Sequence, residues 1–264
     1  MKKTLVALSV LLIMAGLLAG CGEQAPTSTL DKIKQAGKVV VGTSADYPPY
    51  EYVDETGNYT GFDIELMTEI AKRMGVSLEW VDMPFDSLIA AVQEGKIDMS
   101  ISCFNYSEER DQQVDFSDPY YTSQDAFLVA EGFTGTITDP ADIVQYKIGV
   151  QSGTVQDDWV TTELIETGLM PESKLSRYER VDQAALDLQA GRIDVLVADS
   201  VPAQALIKQF GGFKIVYEVQ LYTGPINIVL PEGDKALRDE VNKIIKQLQD
   251  EGFIDQLAVK YFSK

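Results

Sequence analysis

A seven-residue pattern occurs twice in this chain, identical at four positions. Val92-Gln93-Glu94-Gly95-Lys96-Ile97-Asp98 matches Leu188-Gln189-Ala190-Gly191-Arg192-Ile193-Asp194, 96 positions later. Each copy reads as a helix end, a glycine turn, a basic residue, and an Ile-Asp pair opening an apolar strand. Each also falls at the same place in a longer pattern. Around the first copy, residues 38–42 form a β-branched run. Ile64, Met67, Ile70, Ala71 and Met74 then recur at helical spacing, and residues 78–81 read as a strand. Phe85, Leu88, Ile89 and Val92 mark a second helix, and residues 97–101 a third strand. The order then restarts: strand 147–150, helix 155–165, a weaker strand 175–178, helix 184–188, strand 194–197 and helix 202–210. A βαβαβ order implies a parallel sheet covered by helices, because parallel strands need a crossover connection. Two such units predict two similar α/β lobes.

Residues 214–219 and 226–230 add two strand-like runs. An amphipathic tail follows, carrying Leu237, Val241, Ile244, Ile245 and Leu248 before Gly252, then Ile254, Leu257 and Tyr261. The first sheet needs more cover than residues 37–128 supply. The chain is therefore expected to cross back near residues 222–224 and finish on lobe 1. Two crossings make a hinge, with a cleft between the lobes.

The N-terminus reads as a secretory leader. Lys2 and Lys3 precede an apolar run of about fourteen residues, short of the roughly 20 a membrane span needs. The run ends Leu18-Ala19-Gly20-Cys21, which resembles the lipobox of bacterial lipoproteins. That resemblance implies a lipid on Cys21 and cleavage before it. Residues 22–29 are small and polar and include Pro26, so they read as a flexible tether. The expected organisation is a signal peptide at 1–20, a lipidated tether at 21–36, lobe 1 at 37–128 and 223–264, and lobe 2 at 129–222.

Composition narrows the chemistry. There is no histidine, which excludes His-ligated zinc and Ser–His or Cys–His catalysis. No metal and no cofactor are expected. With Cys21 lipidated, Cys103 has no intrachain disulfide partner. Loss of Lys2 and Lys3 with the leader moves the net charge from −19 to −21, and so acidic a surface repels phosphate backbones. Nucleic acid is not an expected partner.

Further motifs bear a resemblance. Gly61-Phe62-Asp63-Ile64-Glu65-Leu66 resembles the signature of bacterial extracellular solute-binding proteins, family 3, which bind polar amino acids. Pro49-Tyr50-Glu51-Tyr52 precedes it in the expected place. Asp115-Phe116-Ser117-Asp118-Pro119-Tyr120-Tyr121 leads into the first hinge, and Ser152-Gly153-Thr154 follows the first strand of lobe 2. The ending, from Asp250-Glu251-Gly252-Phe253 through Lys260-Tyr261-Phe262, is also similar. The resemblance spans nearly the whole mature chain. It implies a two-lobe, periplasmic-binding-protein-like (type II) α/β fold, each lobe a mostly parallel sheet flanked by helices.

In α/β sheets, ligands bind beyond the carboxyl ends of the strands, and the candidate residues lie there. Strand 98–102 leads to Ser102, Cys103, Phe104 and Asn105, with Arg110 close behind. An arginine fork matches a carboxylate in two contacts. Strand 147–150 leads to Gln151, Thr154 and Val155 at a helix start, where free N–H groups favour an anion. Strand 194–197 leads to Asp199, which can pair with an ammonium. The resemblance assigns Arg110 and the Thr154/Val155 backbone to an α-carboxylate, Asp199 to an α-ammonium, and Tyr47 and Phe85 to an aromatic sandwich around the ligand side chain. Each residue also has an ordinary structural use: Arg110 in a surface ion pair, Thr154 as an N-cap with Asp157, Asp199 as a cap for the helix near Pro202, and Tyr47 and Phe85 in core packing.

The chain departs from the family pattern at three positions. Asn105 stands where Ser or Thr is common, and Cys103 where Ser is common. Ser44 stands where several relatives carry an acid that reads a basic side chain. Asp46 and Asp63 keep a basic ligand open, but the balance of these residues, with Gln151 available to an uncharged group, favours a neutral polar amino acid. The expected function is the extracytoplasmic capture component of an ABC-type amino-acid importer. It would be a lipid-anchored monomer that serves a permease and its ATPase and catalyses nothing. A sensor with the same clamp, or a dehydratase of aromatic amino-acid biosynthesis on the same fold, are the competing readings.

Overall fold

A computed structural model describes residues 28–222 and 224–263. The expected signal peptide, Cys21 and the first part of the expected tether, residues 21–27, lie outside the described residues. The described chain begins with α1 (Thr29–Ala36), N-capped by Ser28, whose Oγ accepts from Asp31 N at 3.1 Å. Ile33 on this helix is fully buried, and Lys32 reaches Asp98 at 3.2 Å. Residues 29–36 are therefore part of lobe 1 rather than tether, because Leu30 and Ile33 give the segment an apolar face to bury.

Lobe 1 continues with β1 (Lys38–Thr43), β2 (Asp46–Tyr47), β3 (Glu51–Val53), β4 (Tyr59–Thr60), α2 (Phe62–Met74) and β5 (Ser77–Asp82). It goes on through α3 (Leu88–Gln93), β6 (Met99–Asn105), α4 (Glu108–Asp111), β7 (Asp115–Phe116) and β8 (Tyr121–Thr122). The chain then crosses to lobe 2, formed by β9 (Asp125–Ala130), β10 (Ile148–Gln151), α5 (Val155–Trp159) with its π-helical continuation Val160–Ile165, β11 (Leu175–Tyr178), α6 (Val181–Gln189), β12 (Val195–Asp199), α7 (Ser200–Phe210) and β13 (Phe213–Val219). It returns to lobe 1 with β14 (Pro225–Leu230), α8 (Lys235–Asp250) and α9 (Phe253–Phe262).

The two main sheets share a plan. Lobe 1 has the order β5-β1-β6-β14-β7, with β8 also on β14, and lobe 2 has β11-β10-β12-β9-β13. In each, three parallel strands are followed by an antiparallel strand from across the hinge. The expected boundary at 128/129 shifts: β9 starts at Asp125 and pairs throughout with β12 and β13. Its apolar run, residues 126–129, has its place in the lobe 2 core.

The repeated heptapeptide does the same work twice. Gly95 and Gly191 both adopt left-handed backbone, at φ 65 and φ 68, ending their helices. Asp98 N donates to Val40 O and Asp98 Oδ2 accepts from Val40 N, both at 2.8 Å. Asp194 exchanges the same pair of bonds with Lys147, also at 2.8 Å. Ile97 and Ile193 lie over Gly42 and Gly149, where a Cβ would meet each isoleucine Cδ1 at 2.4 Å. The repeat locks each third strand onto the first.

Gly61 explains part of the signature. Its φ of 126 is closed to side-chain-bearing residues, and a Cβ would sit 2.2 Å from Tyr50 O. This close approach lets Phe62 N and Asp63 N donate to Pro49 O and Tyr50 O at 3.0 and 2.9 Å, fixing the start of α2. Gly61→Ala should therefore destabilise the protein by about 2 kcal/mol or more. Gly37→Ala, at φ 65 with nothing within 4 Å of the new Cβ, should lose only about 1 kcal/mol. Urea unfolding midpoints check this; equal losses would contradict the close-approach argument.

Candidate ligand-binding cleft

The carboxyl ends of β1, β6, β10 and β12 converge on one cavity between the lobes, about 300 Å³ counted to its mouth. Ser44, Tyr47, Phe85, Ser102, Cys103, Asn105, Arg110, Gln151, Thr154, Val155 and Asp199 all line it. The structure thus brings all eleven candidates to one place. Three further residues line it: Asp46, weighed in the sequence only as an acid for a basic ligand, and Glu51 and Gln156, which the sequence reading missed as site residues. Glu51 was visible only as part of a motif, and nothing local marks Gln156, whose side chain reaches Asp125 and Asp199 across the fold.

Arg110 projects from α4, which Ser107 caps through a bond from Arg110 N at 3.2 Å. Its Nη1 donates to Asn105 O at 2.9 Å and its Nη2 to Gly153 O in lobe 2 at 2.7 Å. The guanidinium lies 5.7 and 5.8 Å from the ring centres of Phe85 and Phe104, which stack on each other at 4.5 Å. Burial pulls its pKa below the ordinary value, opposed by the charges of Asp158, Glu109 and Asp199. An arginine remains charged under such conditions, yet no carboxylate forms an ion pair with it among the described residues. This is a buried cation with donors to spare. Val155 opens α5 beside it, so the first amides of that helix face the same space. Thr154 is also the N-cap, accepting from Asp157 N at 3.2 Å, so its structural and candidate ligand roles coexist.

Asp199 lies at the end of β12. Tyr47 OH donates to its Oδ2 at 2.7 Å and accepts from Asp199 N at 2.9 Å, and Gln156 Nε2 donates to Oδ2 at 3.2 Å. Its Oδ1 is buried and accepts no hydrogen bond, and the nearby Ser123 hydroxyl acts to lower the Asp199 pKa. Burial, then the neighbouring charge of Asp125, raises the Asp199 pKa to about 6. Across the cleft from lobe 1, Asp46 Oδ2 accepts from Val181 N at 2.6 Å and Gln151 Nε2 at 3.3 Å, while its Oδ1 takes Ser44 Oγ at 2.7 Å. At the mouth, Arg180 stands 3.6 Å from Asp82. These contacts hold the two lobes together.

The floor of the cleft belongs to lobe 1. Ser102 Oγ accepts from Ser44 N at 3.0 Å and donates to Glu51 Oε1 at 2.8 Å. Cys103 has an unusual φ of 49, and its N donates to Asp63 Oδ2 at 2.7 Å. Burial pushes its thiol pKa well up, so the group is an inert apolar neighbour. Asn105 Nδ2 donates to Gly224 O at 3.4 Å, turning its amide toward the hinge.

The charges around this space do not balance. Asp46, Glu51, Asp63, Asp125 and Asp199 are buried along the cleft and hinge, and Arg110 is the one buried cation among the described residues. Asp98 and Asp157 pair with Lys32 at 3.2 Å and Arg177 at 2.8 Å, Arg180 acts on Asp46, and Asp125 accepts from Gln156 Nε2 and Leu221 N.

The comparisons agree with this architecture. The chain belongs to the bacterial extracellular solute-binding proteins, family 3, whose model matches residues 39–264. It is 32% identical over 260 residues to the L-arginine-binding protein of Pseudomonas aeruginosa, with 96% of each chain covered. It is 28% identical over 262 residues to the L-cystine-binding protein TcyJ of Escherichia coli, covering 99% of this chain and 95% of that one. Among solved structures, an ancestral arginine-binding protein bound to arginine superposes with a TM-score of 0.80 at 35% identity, covering 86% of this chain and 99% of that one. The ancestral amino acid-binding protein AncCDT-1, a precursor of cyclohexadienyl dehydratase, superposes at 0.79 and 34% identity, covering 90% and 100%.

The raised Asp199 pKa has a consequence for stability. The folded state holds a proton that the unfolded chain, near 3.8, has released. That contribution is complete below about pH 4 and is lost as pH rises through about 6. In ligand-free protein, Asp199→Asn should remove up to about 1.4 kcal/mol per pH unit of this slope. Urea unfolding of both proteins from pH 4 to 7 reads it; unchanged slopes would contradict it.

Proposed function

We propose that this protein captures a cationic amino acid outside the cytoplasm and delivers it to an ABC-type importer. The observation that carries this is the charge pattern of the cleft. Arg110, without an anionic partner and beside a helix start, suits an α-carboxylate. Asp199, with an undonated buried oxygen, suits an α-ammonium. The remaining excess of buried carboxylates, with Glu51 and Asp46 on the cavity wall, suits a second positive charge on the ligand. The sequence expectation, from Ser44 and Gln151, is a neutral polar side chain, with Asp46 and Asp63 keeping a basic one open; Glu51 and Asp46 supply acids to the cavity. The names of relatives that bind arginine support this assignment.

The rest of the reading follows from this role. The lobes close on the ligand about the two hinge crossings, and the closed form is what a membrane permease with its ATPase would receive. The protein acts as a monomer and catalyses no reaction, in keeping with relatives that are binding proteins. The lipobox-like sequence at Cys21 would hold it at the membrane, and among the described residues no helix is long and apolar enough to cross one.

A thermal-shift panel of amino acids tests the ligand class. Arginine, lysine, ornithine or histidine should raise the melting temperature more than glutamine or cystine; a ligand at 100 times its Kd adds about 2.7 kcal/mol. Arg110→Ala should weaken the best ligand by about 30-fold to several thousand-fold, the range for removing one partner of a buried charged contact. Binding within threefold of wild type would sink the clamp. For the anchor, Cys21→Ser should release the protein from membranes without changing ligand affinity; unchanged membrane association would refute lipidation there.

A further inference from the structure

Glu51 and Asp63 form a carboxyl pair at the cleft floor. Both are buried, and they meet adjacent residues of β6, Glu51 on Ser102 Oγ and Asp63 on Cys103 N. The protein donors around them all go to the outer oxygens. Ser102 Oγ donates to Glu51 Oε1 at 2.8 Å, and Cys103 N and Tyr120 OH donate to Asp63 Oδ2 at 2.7 and 2.8 Å. The remaining two oxygens, Glu51 Oε2 and Asp63 Oδ1, have no donor. Two ionised carboxylates buried at one strand end repel each other, so a single proton held between them is the favoured state.

The groups facing the pair favour that proton. Asp46 approaches from β2, Tyr50 and Tyr120 from the flanking loops and Cys103 from β6; none is a cation. Asp199 adds negative charge from lobe 2 near Tyr50 and Cys103. The charged neighbours of Arg110 are Asp158, Glu109 and Asp199, and Arg180 faces Asp46 and Asp82. Within the pair the roles differ. Asp63 receives two strong donors and does not line the cavity, so it is the better anion. Glu51 receives one donor and lines the cavity, so it carries the proton toward the ligand. Burial raises both, Asp63 to about 6 and Glu51 well above the usual carboxylate range, with the Asp63 charge adding to the rise in Glu51.

We propose that Glu51 and Asp63 share one proton and release it when a cationic side chain reaches Glu51, so that binding of a basic amino acid is proton-linked and binding of a neutral one is not. This rests on the reading of the cleft as an amino-acid site. In the step, the Glu51 O–H bond breaks, the proton passes to solvent buffer, and the ligand's cation replaces it against Glu51. Asp63 acts through Glu51 as a positioning residue: its charge sets how firmly Glu51 holds the proton. The pair thereby reads the charge of the ligand's distal group.

Calorimetric titration of the full chain at pH 7 with L-arginine and L-citrulline, in buffers of differing ionisation enthalpy, counts the protons released. Citrulline keeps the shape of arginine and lacks the charge, and any proton leaving Asp199 is common to both. Arginine should release close to one proton more than citrulline. Its affinity should rise by up to tenfold per pH unit from pH 6 to 8, and that of citrulline should not. Glu51→Gln should abolish the extra proton and the pH dependence. An infrared difference spectrum of wild type needs no variant: arginine should remove a carboxylic-acid C=O band. Equal proton counts with both ligands bound, or an unchanged acid band, would overturn the proposal and leave the amino-acid reading intact. Failure of any amino acid to bind would overturn the reading and the proposal with it.

Discussion

Asp63 joins the parts of lobe 1 on which the cleft is built. Its backbone starts α2, its carboxylate takes the Cys103 amide and the Tyr120 hydroxyl, and its charge acts on Glu51. One side chain thereby ties the signature loop, the end of β6 and the approach to the first hinge. The geometry depends on Gly61, since only a glycine allows the loop to pass so close to Tyr50 O. The cost is a buried carboxylate with no cation in contact. A proton shared with Glu51 is the local answer, and a ligand cation is the functional one.

The same economy of charge runs through the interface between the lobes. Each lobe brings groups that its own fold leaves incompletely matched: Arg110 from lobe 1 without an anion, Asp199 from lobe 2 with an oxygen free of donors. Buried charges of this kind are unfavourable in either lobe alone. They become useful only where a third body carries both missing charges. Selectivity for a zwitterion then follows from leaving these groups unpaired, since a ligand lacking either charge leaves a buried group unsatisfied.

The contacts between the lobes and the lining of the cavity share side chains. Asp46 holds Val181 N and Gln151, Tyr47 holds Asp199, and Arg110 holds Gly153 O, all between lobes. Tyr47 and Arg110 also face the cavity, so both the approach of the lobes and the shape of the site run through the same side chains. Asp46 both spans the lobes and lines the cavity.

Much of this was legible in the sequence. The heptapeptide repeat marked two lobes because its Asp closes a specific backbone pair on the first strand, a local device that leaves a local signature. The placement of Arg110 and Asp199 at strand ends was equally visible, since strand order fixes which end of a sheet a loop decorates. Helix 29–36 was missed because Pro26 and the polar residues around it outweighed Leu30 and Ile33, whose burial depends on a helix more than 200 positions away. The start of β9 was missed because an apolar run does not say which sheet it joins. The carboxyl pair could not be read at all. Glu51 and Asp63 are 12 positions apart, each ordinary in its own motif. Only the fold, by bringing β3 and the start of α2 to the same end of β6, buries them together. Sequence determined the repeated lobes and the residues at the strand ends; tertiary structure decided which charges are buried together, because burial and proximity are properties of the packed chain and not of any segment of it.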